Sequence, residues 1–230
     1  MSTEVVQQLF STLDERLQSH DRDGAVTVAL EAVRTGRITI PELYTRVLAP
    51  LMVTIGERWH SGAARVWEEH FTTNSVRSIV DALAPDVIEA SARVPRAHRR
   101  ALLACPPGEQ HDLGLRMLAD RMRLAGWDVF YLGTDTPVNE IADAAKSLEA
   151  DTVVLSASTH FNRALLRDVA ARIRTALPGA HLLVGGPAFA LDRHWPAAEL
   201  LDERELGLPG APPSPGAGAE ASDNLAGSRD

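Results

Sequence analysis

The stretch ALLACPPGEQHDLGLRMLADRMRLAG, residues 101–126, opens on a short apolar run and closes on an amphipathic helical pattern. Between the two, GEQHDLG (108–114) places a histidine in the strand-to-helix turn, where glycine, serine or aspartate usually serves. The unit predicts strand, turn and helix, and the chain downstream repeats it. DVFYLG (128–133) precedes a helical pattern at about 138–149, DTVVLSAS (151–158) one at about 162–176, and AHLLVGG (180–186) a short one near 194–205. Such alternation predicts βαβ units on a Rossmann-like (flavodoxin-like) parallel sheet over residues 101–206.

Upstream the texture is helical throughout. VVQQLFSTLDERLQ (5–18), AVTVALEAVRTG (25–36), PELYTRVLAPLMVTIGERW (41–59) and WEEHFTTNSVRSIVDALAPDVIEASARV (67–94) repeat apolar residues at helical spacing. They predict a four-helix bundle over residues 1–93, with a kink at Pro50. VPRAHRR (94–100) reads as a linker. GLPGAPPSPGAGAEASDNLAGSRD (207–230) has the composition of a disordered tail. The expected fold class is therefore α + α/β, a helical bundle followed by a parallel-sheet domain.

Composition removes several classes of function. The 230-residue chain carries a net charge of −8 with its 23 basic residues dispersed, so it shows no footprint for a phosphate backbone. No apolar run approaches the length of a membrane span, and the single cysteine leaves no internal disulfide. The expectation is a cytoplasmic protein that binds neither nucleic acid nor membrane.

In an open α/β sheet, ligands bind beyond the carboxyl ends of the strands. Those ends are GEQHDLG, LGTDTP, SAST and GGPAF. The small residues Ser156, Ala157, Ser158, Gly185 and Gly186 would let a ligand lie against backbone. His111 would face it as a metal ligand, its tautomer fixed by Glu109 or Asp112.

Spacing narrows this reading. Glu109-x-His111-x-x-Gly114 is followed after 41 residues by Ser156 and Ser158, and after 26 more by Gly185-Gly186. Residues 100–190 thereby resemble the cobalamin-binding signature D-x-H-x-x-G, S-x-L, G-G of corrinoid methyltransferases, mutases and their regulatory relatives. The resemblance implies that His111 is the lower axial ligand of cobalt, in place of dimethylbenzimidazole. It also implies that Ser156, Ser158, Thr159, Gly185 and Gly186 line a slot for the displaced nucleotide tail. Glu109 stands where the family has Asp, and Ser158 where it has Leu. The family's fifth strand has no clear counterpart in AELLDERELGLPG (198–210), so a degenerate edge strand or a four-stranded sheet is expected.

The helical half carries a second pattern, Trp59, nine residues, then Glu69-His70. It is similar to the cap of the adenosylcobalamin photoreceptors of the CarH type, which implies an aromatic over the corrin and a Glu-His pocket for the adenosyl group. A base to stack on and ribose hydroxyls to hold suit an aromatic and a carboxylate, whereas a methyl group needs neither. In that family a histidine at the position of His60 captures cobalt from above after light breaks the cobalt–carbon bond. Without such a signature, Trp59, Trp67 and His70 would read as bundle core. The family's winged-helix DNA-binding domain has no counterpart here, so a stand-alone sensor is expected, a homo-oligomer or one with a protein partner. Stand-alone proteins of this kind resemble the photocobilins, which implies biliverdin as a second chromophore, with Cys105 an improbable anchor for it. The expected function is a non-enzymatic light sensor. A corrinoid carrier for methyl transfer and a cobalamin-binding antirepressor or storage module are the alternatives.

Overall fold

The computed structural model describes residues 3–189, 195 and 198–209. Its first part is helical: α1 (Thr3–Gln18), α2 (Arg22–Arg34), α3 (Ile40–Leu43), a π-helical turn (Tyr44–Leu48), α4 (Ala49–His60), α5 (Val66–Ala82) and α6 (Ala84–Ser91). Two of the four helices expected from periodicity are thus divided, each at a proline. Pro50 has no N–H to offer the carbonyl four residues back, and the turn before it widens so that Ala49 N–H donates to Tyr44 O. Pro85 occupies the first turn of α6 after a break at Leu83, because its missing N–H is harmless only there.

The second part is a five-stranded parallel sheet with helices on both faces. β1 (Arg100–Ala104), α7 (Leu113–Leu124), β2 (Asp128–Gly133), α8 (Val138–Ser147), β3 (Thr152–Ser156), α9 (His160–Ala176), β4 (His181–Gly185) and β5 (Glu199–Leu200) follow in order. The strands lie in the order β2-β1-β3-β4-β5. Alternation along β1 feeds two cores: Leu102 and Ala104 pack with α8 and α9, while Ala101 and Leu103 pack with α7 and Trp127. The order reverses between β1 and β3, and that switch point opens the crevice in which ligands of such sheets bind.

The fifth strand is the degenerate edge strand of the two alternatives. Its two residues pair in parallel with Leu183 and Val184. The short helix expected near 194–205 is absent from the described part of that range, where Glu199–Leu200 is strand and the residues after it are turns. Pairing to an open sheet edge overrides the helical pattern of AELLDERE. The remainder of that expectation, residues 194 and 196–197, lies outside the described residues. Leu208, expected in the tail, is buried against Trp127 and its neighbours, and Pro209 O accepts from Arg121 Nε at 3.1 Å. The tail expectation for residues 210–230 lies outside the described residues.

The two parts share a core. Leu113 and Met117 of α7 are buried with α1, α2, α4 and α5. Among the described residues no helix is long and apolar enough to cross a membrane.

Candidate functional site at the carboxyl ends of β1 and β3

Glu109 organises the site. Its side chain has no exposed surface, and it lies on the loop that leaves β1 at the switch point. Oε1 accepts from the backbone N–H of His111 at 2.8 Å and lies 2.7 Å from His111 Nδ1. Oε2 accepts from Ser158 N–H at 2.7 Å and Asn162 Nδ2 at 2.8 Å. Burial acts first and pushes this carboxyl up, but the hydrogen bonds from His111, Ser158 and Asn162 prevail and hold it below the usual range.

An ionised carboxylate only accepts, so the hydrogen between it and Nδ1 belongs to the imidazole. The lone pair then sits on Nε2. The His111 side chain is 67% exposed, which leaves that nitrogen open to a ligand. This is the arrangement by which metal-binding histidines are oriented, and the choice of Glu109 over Asp112 as the orienting group is settled by contact. Asp112 does not touch His111. Its carboxylate accepts from Arg77 Nη2 at 2.6 Å and from Tyr131 Oη at 2.5 Å. Burial opposes its ionisation, yet these two partners hold its carboxyl below the ordinary aspartate value.

Asn162 was not singled out from the sequence. The signal lay in T-x-x-N (159–162), because Thr159 caps α9 by accepting from Asn162 N–H at 3.1 Å and so turns the amide toward Glu109.

The small residues serve different ends. Gly114 sits at the start of α7, and a Cβ there would meet nothing within 4 Å. The double glycine is also required by the protein's own packing. Gly186 has φ +105°, and a Cβ on it would stand 2.4 Å from Ala157 O and 2.9 Å from Ser156 Oγ. A Cβ on Gly185 would meet Leu201 at 3.2 Å. Ser156 is buried beneath this contact, while Ser158 is half-buried and Thr159 exposed.

Cobalamin fits these residues on the chemistry of the donors. Among the described residues, no three His, Cys, Asp or Glu side chains gather to hold a metal ion. A single oriented imidazole suits a metal that brings its other ligands with it, beside the open space at Gly114. Cys105 is a poor covalent anchor: it is fully buried, and burial, followed by the charges of Glu109 and Asp112, pushes its thiol up to about 12.

The residues of the helical part lie on α4, α5 and the turn between them. Trp59 and Trp67 are about half exposed and His60 and His70 are exposed, so none of them is bundle core. Glu69 Oε2 lies 2.7 Å from His70 Nδ1, and its Oε1 accepts from Thr73 Oγ1 at 2.7 Å. Glu69, Thr73 and Arg77 recur every fourth residue and share one face of α5. Because Arg77 reaches Asp112, that face is turned toward the His111 loop.

Both parts of the chain match known protein families. Residues 99–203 match the family model of the B12 binding domain, and residues 1–84 match a second B12 binding domain model. The chain is 37% identical over 146 residues to the HTH-type transcriptional repressor CarH of Myxococcus xanthus, covering 63% of this chain and 47% of that protein. It thus spans about half the length of that relative. It is 22% identical over 170 residues to monomethylamine corrinoid protein 1 of Methanosarcina acetivorans, covering 73% of this chain and 78% of that protein. The monomethylamine corrinoid protein of Methanosarcina barkeri shares the fold, with a TM-score of 0.72 at 16% identity over 87% of this chain and 95% of that one.

Proposed function

We propose that this chain, which carries B12-binding domains over most of its length, binds adenosylcobalamin through His111 and acts as a non-enzymatic light sensor. The observation that carries the reading is an oriented His111 together with exposed Trp59, His60 and His70 and half-buried Glu69 on α4 and α5. Similarity to a transcriptional repressor over 146 residues supports a regulatory role.

Adenosylcobalamin supplies a cobalt–carbon bond that light can break. The protein's own groups do the rest. Glu109 keeps the proton on Nδ1 of His111 and the lone pair on Nε2. Gly114 leaves the neighbouring space open, and Ser158 and Thr159 offer the polar edge for the nucleotide tail. Trp59 offers a stacking surface and Glu69 a hydrogen-bond acceptor for an adenosyl group. His60, exposed at the end of α4, would offer a second imidazole to the metal. The output is a changed contact with a second copy or with a protein partner in the cytoplasm, and biliverdin is the second chromophore.

One measurement tests this. Absorption spectra of the purified chain with adenosylcobalamin, and separately with biliverdin, are recorded in darkness and after green light. The expected result is a base-off, His-on spectrum that light converts to a stable new one, with an additional long-wavelength band when biliverdin is added. Loss of the dark spectrum no faster than for the free cofactor would sink the sensor reading.

A second reading has its own support, because the fold match to a monomethylamine corrinoid protein extends over 87% of the chain. In that reading the chain carries methyl groups on its corrinoid, and Trp59 and Glu69 have no adenosyl group to recognise. Light-independent methyl transfer to a partner methyltransferase would favour it.

A further inference from the structure

Aspartate at a helix N-cap ordinarily accepts from the free N–H groups of its own first turn. Asp112 holds that position on α7, yet its side chain makes no capping bond. Both oxygens are turned away. Arg77 reaches across from α5, with Nη2 at 2.6 Å from Oδ1 and Nη1 at 3.4 Å from Oδ2, while Tyr131 of β2 closes the other side. The carboxylate is only 10% exposed, which strengthens the charged pair relative to a surface one. The local benefit of capping is thus given up for a bond between the two parts of the molecule, at the residue that follows His111.

The other end of that bond is equally placed. α5 runs from Val66 to Ala82 without glycine or proline, so a shift at Arg77 is carried along it rather than absorbed. Glu69 stands eight residues before Arg77 on the same face, about 12 Å along the axis.

We propose that Arg77 and Asp112 form a latch that couples the position of the His111 loop to the face of α5 carrying Glu69 and His70, which makes Arg77 a positioning residue for the cap. The loop and the cap then move as one body while the latch is closed. The ligand arm of this inference rests on the cobalamin reading above.

The test is amide hydrogen exchange on the whole chain, free and with hydroxocobalamin, for wild type, Arg77→Ala and Arg77→Lys, with an absorption spectrum recorded on each sample. In wild type, hydroxocobalamin should protect both residues 108–113 and residues 66–77. In Arg77→Ala the His-on spectrum and the protection of 108–113 should remain, while the added protection of 66–77 falls at least about fivefold, the lower range of coupling between sites. Arg77→Lys keeps the charge but not the fork and should fall between. Ligand-induced protection of α5 that is unchanged in Arg77→Ala overturns the latch. If wild type does not bind hydroxocobalamin, the cobalamin reading fails and the free protein decides the latch. There Arg77→Ala must loosen 108–113 as well as α5, and an unaltered loop refutes it.

Discussion

The hydroxyl of Tyr44 donates to Oδ2 of Asp120 at 3.1 Å, joining the π-helical turn of the bundle to α7 of the sheet domain. Asp120 is almost wholly buried, and Arg116 Nε lies 3.8 Å from it. Burial is the largest influence and raises its pKa, against the pull of Arg116 and Tyr44. A folded-state value above the unfolded one favours folding at low pH, and the benefit is lost as pH rises through the folded value. Asp120→Asn keeps an acceptor for Tyr44 and removes the charge. We expect it to leave stability unchanged near pH 4 and to raise it by about 1 kcal/mol near pH 8. Denaturant unfolding at the two pH values checks this, and a loss at pH 8 would mean that the Arg116 pair outweighs burial.

Glu109→Gln should be costly at neutral pH. Its two oxygens now accept four hydrogen bonds, and an amide offers one oxygen and an NH2 that would face donors. The expected loss is about 2–4 kcal/mol in urea unfolding, together with a weaker His-on spectrum. A variant as stable as wild type would show that the loop repacks around the amide.

The two kinds of glycine predict opposite outcomes. Gly186→Ala would press a methyl group against Ala157 O in a left-handed conformation and should cost about 2–4 kcal/mol. Gly114→Ala meets open space on a helix and should leave the free protein as stable or better by about 0.5 kcal/mol. Its penalty should appear in cobalamin affinity, measured by titration. Unchanged affinity would remove Gly114 from the binding surface.

Much of this was legible before any coordinates. The strand, turn and helix around His111 follow from local patterns, and the link from His111 to Glu109 followed from a spacing of two residues. Long-range partners were not legible. Nothing near Asp112 in sequence points to Arg77, 35 residues earlier, and the sequence offered Asp112 only as a second candidate to orient His111. That Gly186 is also needed for its φ and for its contact with Ala157 O is something only three-dimensional packing shows. For β5 the sequence left a degenerate edge strand and no strand as alternatives, because two residues on a sheet edge carry no periodicity of their own.

His111→Ala should abolish the His-on spectrum, and persistence of that spectrum would remove His111 as the metal ligand. His60→Ala should keep binding in the dark but lose the stable spectrum after illumination. If the illuminated spectrum survives, the second imidazole comes from elsewhere, with His70 the next to replace.

The wide turn at Tyr44–Leu48 sets a phase. A π-helical turn holds about one residue more than an α-helical one, and each residue rotates the helix by about 100°. Were the chain one residue shorter there, α4 would be turned by that angle relative to α3, taking Leu51 and Ile55 off the core and aiming Trp59 and His60 about a quarter-turn away from where they now stand. The length of a five-residue turn thus fixes where two side chains at the other end of the helix point.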